Sequence, residues 1–379
     1  MAMAVALVGI VAAALLFHFA SPWWSTQLAS NWRQMDSTLD ITLAITGAFF
    51  VAINLFIVYT LLRFRHREGG RAFYRPYNPK LETWLTGLTT LGIMALLAPG
   101  LFTYAEYVRP PANAIEFEAL AQQWQWRFRF PGADGRFGRS DARLFSADNP
   151  FGLDPADPAG QNNLLVQGGE VHLPLNRPVK VLLRSHDVLH DFYVPQFRAR
   201  MNMVPGMVTS FWFTPTKAGR YELLCAQLCG MGHYNMRGYV VVEDEAAWRN
   251  WLQRQQTFAA AQAANTGNAP APGSPAAQGK ALAQSKGCAS CHSADGSPGV
   301  GPTWKGLFGK TESMADGSTA LVDATYLKQF IRNPKARVVK GFSPIMPKIE
   351  MTDAELSALV AYIESLGKAD KSAQKTAQR

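Results

Sequence analysis

Three long apolar runs lie within the first 104 residues, at 3–20, 39–62 and 84–104, and they restrict the fold more than any other feature. About 17–25 apolar residues are enough to cross a bilayer as a helix. Within lipid only helices and closed barrels satisfy every backbone polar group, so each run is expected as a helix. Asn54 and a few threonines interrupt the second run, and the third holds Gly87, Gly92 and Pro99. The two later runs form a helical hairpin with no catalytic group of its own. The first run has no Lys or Arg before Arg33 and a poor cleavage site around His18 and Phe19, so it is expected as a retained helix, not a removed signal. Ser21-Pro22-Trp23-Trp24 then supplies a helix end and an aromatic anchor at the membrane interface.

The formal net charge of +9 could suggest nucleic acid, but its location says otherwise. Residues 63–80 carry six basic side chains (Arg63, Arg65, Arg67, Arg71, Arg75 and Lys80) against Glu68 alone. A basic loop between apolar spans is the positive-inside pattern, so no nucleic-acid partner is expected. The loop belongs in the cytoplasm, and everything after Tyr107 belongs on the outer face.

All four cysteines fall in two closely spaced pairs, which leaves none for a disulfide scaffold. The first pair opens Cys225-Ala226-Gln227-Leu228-Cys229-Gly230-Met231-Gly232-His233-Tyr234-Asn235-Met236. Thiolate, imidazole and thioether are soft donors, the set that copper prefers over magnesium or calcium. Two thiolates this close can bridge two ions. A Cys225–Cys229 disulfide would explain neither His233 nor Met236, and a structural zinc site has little use for methionine. Strand-like runs at 220–224 and 238–242 flank the segment, so it reads as a loop that converges ligands from a rigid frame.

This loop resembles the dinuclear copper loop of subunit II of haem-copper oxidases, Cys-x-Glu-x-Cys-x-x-x-His-x-x-Met. The family's upstream histidine segment is matched by Ser185-His186-Asp187-Val188-Leu189-His190-Asp191-Phe192. The resemblance implies Cys225 and Cys229 as bridging thiolates, His190 (not His186) and His233 as one imidazole per copper, and Met236 as a weak axial ligand. It also implies a carbonyl ligand from Gln227. The family has glutamate there, whose side chain also reaches a magnesium, so Gln227 departs from the pattern. A second departure is Asn202-Met203-Val204-Pro205-Gly206-Met207, where the family's acid and arginine are missing. We read the subunit interface there as altered. Gln123-Trp124-Gln125-Trp126 resembles the family's Gln-Trp-x-Trp segment, which implies Trp124 as an exposed ring where electrons come in and leaves Trp126 as sheet core. Glu82 resembles the family's glutamate near a proton channel, although its spacing to Trp84 differs by one residue.

Short strands at 115–130, 164–166, 179–183 and 209–213, with turn signals between them, argue for an all-β sandwich. Residues 139–163 read as a long loop shaped for a partner, and 248–258 as a short amphipathic helix. Uncharged Ala, Pro, Gly, Ser, Asn and Gln fill 259–278, a flexible-linker composition.

The second pair lies in Cys288-Ala289-Ser290-Cys291-His292, the attachment pattern for c-type haem. A thioredoxin-like redox site would need a strand–helix setting that is missing. The surrounding segment resembles a class I cytochrome c, with a helix at 276–286, Gly301-Pro302 after the motif and a terminal amphipathic helix at 352–366. That implies His292 as proximal ligand and Met346 as distal ligand, with Met314 and Met351 as alternatives. Methionine opposite histidine raises the reduction potential.

The expected fold is therefore multi-domain. A membrane anchor (1–110) is a helical hairpin, or three helices with 3–20 included. A cupredoxin-like all-β sandwich (111–255) and a flexible linker (256–276) follow. An all-α cytochrome c domain (277–370) and a disordered tail (371–379) complete the chain. The resemblance implies subunit II of a caa-type cytochrome c oxidase, a respiratory enzyme, in the plasma membrane of a bacterium. Two copper ions and one covalent haem c are the cofactors. The implied partners are the dioxygen-reducing subunit I, other oxidase subunits, a donor such as cytochrome c, and membrane lipid. Three other readings stand beside it: the equivalent subunit of a nitric oxide reductase, a copper store, and a tethered cytochrome serving another acceptor.

Overall fold

The computed structural model describes residues 2–20, 26–66, 68–71, 74, 76–146, 148–166, 168–267, 270–296 and 299–367. The expected tail at 371–379, along with Arg67 and Arg75 of the basic loop, lies outside the described residues. The chain divides into two units, Met1–Arg109 and Pro110–Arg379.

In the first unit, α1 (Ala2–Ala20), α2 (Arg33–Arg63) and α3 (Pro79–Tyr107) are each long and apolar enough to cross a membrane. Helix α1 packs on α2, and α2 on α3. Both α2 and α3 run past the apolar cores that composition marks, and α3 has a side-chain cap at its start. Asn78 accepts from Leu81 N at 3.3 Å, with Pro79 at the first helical position. The polar interruptions in α2 are satisfied within the helix itself, as Thr42 Oγ1 donates to Thr38 O at 2.8 Å and Asn54 Nδ2 to Phe50 O at 2.8 Å. Glu82 sits in the first turn of α3, where its carboxylate accepts from Asn78 N at 3.4 Å.

The second unit begins with β1 (Ile115–Gln122), β2 (Gln125–Phe130), the one-turn helix α4 (Pro158–Gln161) and β3 (Leu164–Val166). It continues with β4 (Glu170–Pro174), β5 (Val179–Ser185), β6 (His190–Val194), β7 (Ala199–Met203), β8 (Thr209–Phe213), β9 (Gly219–Cys225) and β10 (Arg237–Glu243). Next come α5 (Glu245–Gln253), β11 (Gln256–Thr257) and α6 (Phe258–Gly267). One sheet has the order β11-β3-β2-β1-β5-β8 and the other β4-β10-β9-β6-β7, which is the expected all-β sandwich. Alternation drives it: Val179, Val181 and Leu183 of β5 are fully buried while Lys180, Leu182 and Arg184 between them are not. Phe117, Phe128, Phe211 and Phe213 are buried on one sheet and Phe192 on the other, where it packs 5.7 Å from Phe211, each stabilising by roughly 1.5–3 kcal/mol of burial.

The long loop after β2 is pinned. Arg129, buried beside Glu118 at 2.6 Å, donates through Nη1 to Asn163 Oδ1 at 3.0 Å. Asn163 Oδ1 also accepts from Gly138 N at 3.0 Å, and Nδ2 donates to Arg136 O at 2.8 Å. Phe137 and Phe151 cover the guanidinium with ring centroids at 5.0 and 5.3 Å. A buried ion pair whose remaining donors are satisfied in this way holds both ends of residues 130–163 to the sheet.

The stretch expected as an unstructured linker differs from that reading. Its first half is α6, an Ala-rich run of good helix formers. Phe258 is buried among Leu120, Phe151, Leu153 and Leu165, and β11 pairs with β3. Residues 268–274 separate α6 from α7 (Pro275–Ser285). The last segment adds β12 (Thr311–Ser313), β13 (Thr319–Leu321), α8 (Ala324–Arg332) and α9 (Asp353–Ser365). Helices α7 and α9 cross closely at Gly279, where a Cβ would come within 2.0 Å of Ala358 O. Thr352 and Glu355 form a capping box that starts α9. The β12–β13 hairpin is a departure from an all-helical reading; its turn uses Asp316-Gly317, with Gly317 at φ 85°.

Candidate functional site

Strand β9 ends at Cys225 and β10 begins at Arg237, with Leu224 opposite Arg237, so residues 226–236 form a loop at one end of the sheet. Strand β6 lies beside β9 with Phe192 opposite Cys225, which brings His190 to the same end. The donor atoms converge. Cys225 Sγ is 3.7 Å from Cys229 Sγ, 3.8 Å from His190 Nδ1 and 3.2 Å from Gln227 O. Cys229 Sγ is 3.6 Å from His233 Nδ1 and 4.0 Å from Met236 Sδ. His190 is fully buried, and Cys225, Cys229 and Met236 nearly so.

The sulfur separation is far beyond the ~2.05 Å of a disulfide. It is short enough for both sulfurs to bond the same ion, since two metal–sulfur bonds of about 2.3 Å span more than that. The residues fit a soft metal pair. Burial alone would push the Cys225 thiol up, but its contacts with His190 and with the Asp191 and Gln227 backbone outweigh it and bring it to about 7. Burial and the neighbouring Cys225 push Cys229 up to about 12.

Asp187 holds His190 in place. A carboxylate only accepts, so the 2.8 Å contact to Nε2 puts the proton there and leaves the Nδ1 lone pair facing Cys225. Asp187 also accepts from Gln123 N at 2.7 Å. His186 is exposed and packs edge-on against Phe145 at 4.7 Å, away from the cluster. Trp124, expected as an exposed ring, is half-buried. Its Nε1 donates to Cys229 O at 3.0 Å, and Gln123 Nε2 donates to the same oxygen at 2.8 Å. The indole lies against Gly232, where a Cβ would come within 2.3 Å of the ring.

The second cysteine pair follows α7, with Cys288–Ser290 as a single 3-10 turn. His292 Nδ1 is 2.8 Å from Pro302 O. A carbonyl only accepts, so the proton is on Nδ1 and Nε2 is free as a ligand. The ring stacks on Trp304 at 5.1 Å, and Gly301 leaves room for it, a Cβ there falling 2.6 Å from the imidazole. Burial holds its pKa below the ordinary value and keeps it neutral. A cavity opens beside it, lined by Cys288, Cys291, His292, Met346 and Met351. Met314 lies elsewhere, buried with Sδ 3.9 Å from Tyr326 Oη. Trp124 and Met231 line the same cavity.

Residues 115–244 match the family model of the cytochrome c oxidase subunit II periplasmic domain, and residues 276–367 match that of cytochrome c. The alternative cytochrome c oxidase subunit 2 of Bradyrhizobium diazoefficiens is 53% identical over 259 residues, covering 68% of this chain and 94% of that protein. The chain belongs to the cytochrome c oxidase subunit 2 family. A further subunit 2, from Alkalihalophilus pseudofirmus, is 22% identical over 338 residues, 86% of each chain. The crystal structure of the periplasmic domain of subunit II of cytochrome oxidase from Bradyrhizobium japonicum is 24% identical, covers 38% of this chain and 95% of that one, and has a TM-score of 0.28. As a subunit 2 the chain is part of a respiratory haem-copper oxidase, with other oxidase subunits as partners. Its sandwich is cupredoxin-like. The subunit 2 domain implies CuA copper and an outer-face location, the cytochrome c domain implies haem c, and the apolar helices suggest membrane anchoring.

Sequence reasoning did not single out Asp187 as the partner of His190, or the Pro302 carbonyl as the partner of His292. An acid three residues before a ligand histidine was the only signal for the first. The second is a backbone contact that leaves no mark in residue identity.

Proposed function

We propose that this chain is the electron-transfer subunit of a caa-type oxidase. Electrons would come from a donor through the cytochrome c domain to the copper domain, and on to a separate catalytic subunit that reduces dioxygen to water. When bound, the two groups supply one-electron redox chemistry. His190, Cys225, the Gln227 carbonyl, Cys229, His233 and Met236 would hold two copper ions. Cys288 and Cys291 would tether one haem covalently, and His292 and Met346 would ligate its iron. Asp187 and the Pro302 carbonyl fix the tautomers that turn Nδ1 of His190 and Nε2 of His292 toward their metals.

One observation carries the reading: Trp124 bonds the loop of the first cysteine pair and lines the cavity beside the second. Its indole N–H donates to the carbonyl of Cys229, and its ring lines the cavity beside His292. Trp124 is therefore the proposed gateway between them. We further propose a multi-pass anchor in the bacterial plasma membrane, in contact with lipid, with cytochrome c or a similar carrier as the donor. The nitric oxide reductase alternative gains no support from the relatives, which are cytochrome c oxidase subunits. Metal and haem analysis of the membrane complex, with dioxygen uptake, tests the proposal. It predicts two coppers and one covalent haem per chain; a single zinc, or a Cys225–Cys229 disulfide in the native complex, would overturn it.

A further inference from the structure

We infer that the loop between α2 and α3 binds anionic phospholipid headgroups at the cytoplasmic face of the membrane, through Arg63, Arg65, Arg71 and Lys80. The inference rests on the plasma-membrane anchor proposed above and adds to it a choice of lipid. Arg63 is the last residue of α2 and Lys80 the second of α3, so the loop leaves and re-enters the apolar spans at their ends, the depth of the headgroups. All four basic side chains are exposed. Among the described residues Arg65, Arg71 and Lys80 have no carboxylate partner, and Arg63 has only the ring of Phe64, 5.5 Å from its guanidinium. Glu68 is the one acid within 63–80, and it is exposed and pairs with none of them.

The second unit treats its cations differently. There Arg129, Arg139, Arg177, Arg184, Arg220 and Arg237 each pair with a carboxylate of the chain. Four cations left without anions along one short loop repel one another and draw counter-charge from outside the chain. The neighbouring side chains select what supplies it. Tyr74, Trp84, Phe64 and Tyr77 are 87%, 78%, 72% and 66% exposed. Aromatic rings beside a span settle among the headgroups, with their apolar bodies toward the acyl chains. Arg and Lys lay their alkyl stems along the same layer and lift their charged ends to the phosphates. An acidic protein segment would pair with the cations and leave the rings in water, whereas a leaflet of phosphodiesters accommodates both. Each cation at such a surface strengthens the association roughly fivefold, an effect that fades within a Debye length of about 8 Å at physiological salt.

The test uses the full chain in its membrane complex, with copper and haem bound, in vesicles of phosphatidylethanolamine and phosphatidylglycerol. A trace of photoactivatable phosphatidylglycerol or photoactivatable phosphatidylcholine is added, and adducts are mapped by mass spectrometry of the digest. Peptides from 63–80 should take the acidic probe about tenfold more than the zwitterionic one, and high salt should erase most of that ratio. Peptides from the middle of α2 and α3 should take both probes equally and serve as the reference. Equal labelling of 63–80 by the two probes would overturn the inference. So would a loop that takes neither probe and cross-links to an acidic segment of another oxidase subunit. Two variants separate charge from insertion. Arg63→Lys with Arg65→Lys and Arg71→Lys keeps the charge and should hold the ratio to within about twofold. Arg65→Gln with Arg71→Gln should lower it about fivefold or more while the copper and haem spectra stay unchanged. An unchanged ratio in that variant would remove these cations from the site. Spans that take no label from either probe would instead remove the membrane anchor on which the inference rests.

Discussion

Asp187 shows how much of the copper site depends on a residue that holds no metal. Its carboxylate takes the Nε2 proton of His190 and the backbone N–H of Gln123, so it links the ligand to the segment that carries Trp124. Asp187→Asn can donate to Nε2 as well as accept, which releases the tautomer. The expected result is a copper affinity lower by about 10–100-fold, measured by competition titration, with the sandwich still folded. Gln227 behaves oppositely. Its carbonyl oxygen is what approaches Cys225 Sγ, so Gln227→Ala should keep its copper and its absorption bands. Loss of copper there would mean that the side chain is needed. The cysteines, histidines and methionine of the cluster were legible because their spacing is rigid and their chemistry soft. Asp187 and Pro302 were not, because a hydrogen-bond partner is chosen by the fold and not by identity. Trp124 was legible as a position but not in its exposure, because the covering domain comes from 160 or so residues further along.

At the scale of elements, the two sheets were readable from alternation and the long apolar helices from length. The stretch after Phe258 was not. Its lack of charge suggested a free linker, yet the same alanines favour a helix, and one aromatic residue finds a pocket between the sheet and the pinned loop. Phe258→Ala should therefore cost about 3–5 kcal/mol locally. Hydrogen exchange along α6 should speed up while β5 and β10 stay protected. If α6 exchanges no faster, its anchoring has another source. The pinned loop follows the same logic. Composition marked 139–163 as irregular, but only the fold pairs Arg129 with Glu118 and Asn163 across sequence distances that no local pattern reveals.

At the scale of the whole molecule, the charge pattern predicts the orientation. The basic residues of 63–80 should face the cytoplasm, so membrane-impermeant labels applied from outside should modify the copper and haem domains and miss that loop. The bulk charge of the haem domain cannot replace its tether, since residues 277–370 hold eleven basic against nine acidic side chains. Cutting the chain within 268–274 should therefore slow donor oxidation while leaving the copper spectrum unchanged. The central claim is that electrons pass through the haem domain to reach copper. The most direct measurement injects one electron from a photoexcited donor into the intact complex and follows the haem and copper bands together. The account predicts that the haem is reduced first and that its reoxidation matches the reduction of copper in time; copper reduced at once while the haem stays reduced would contradict it.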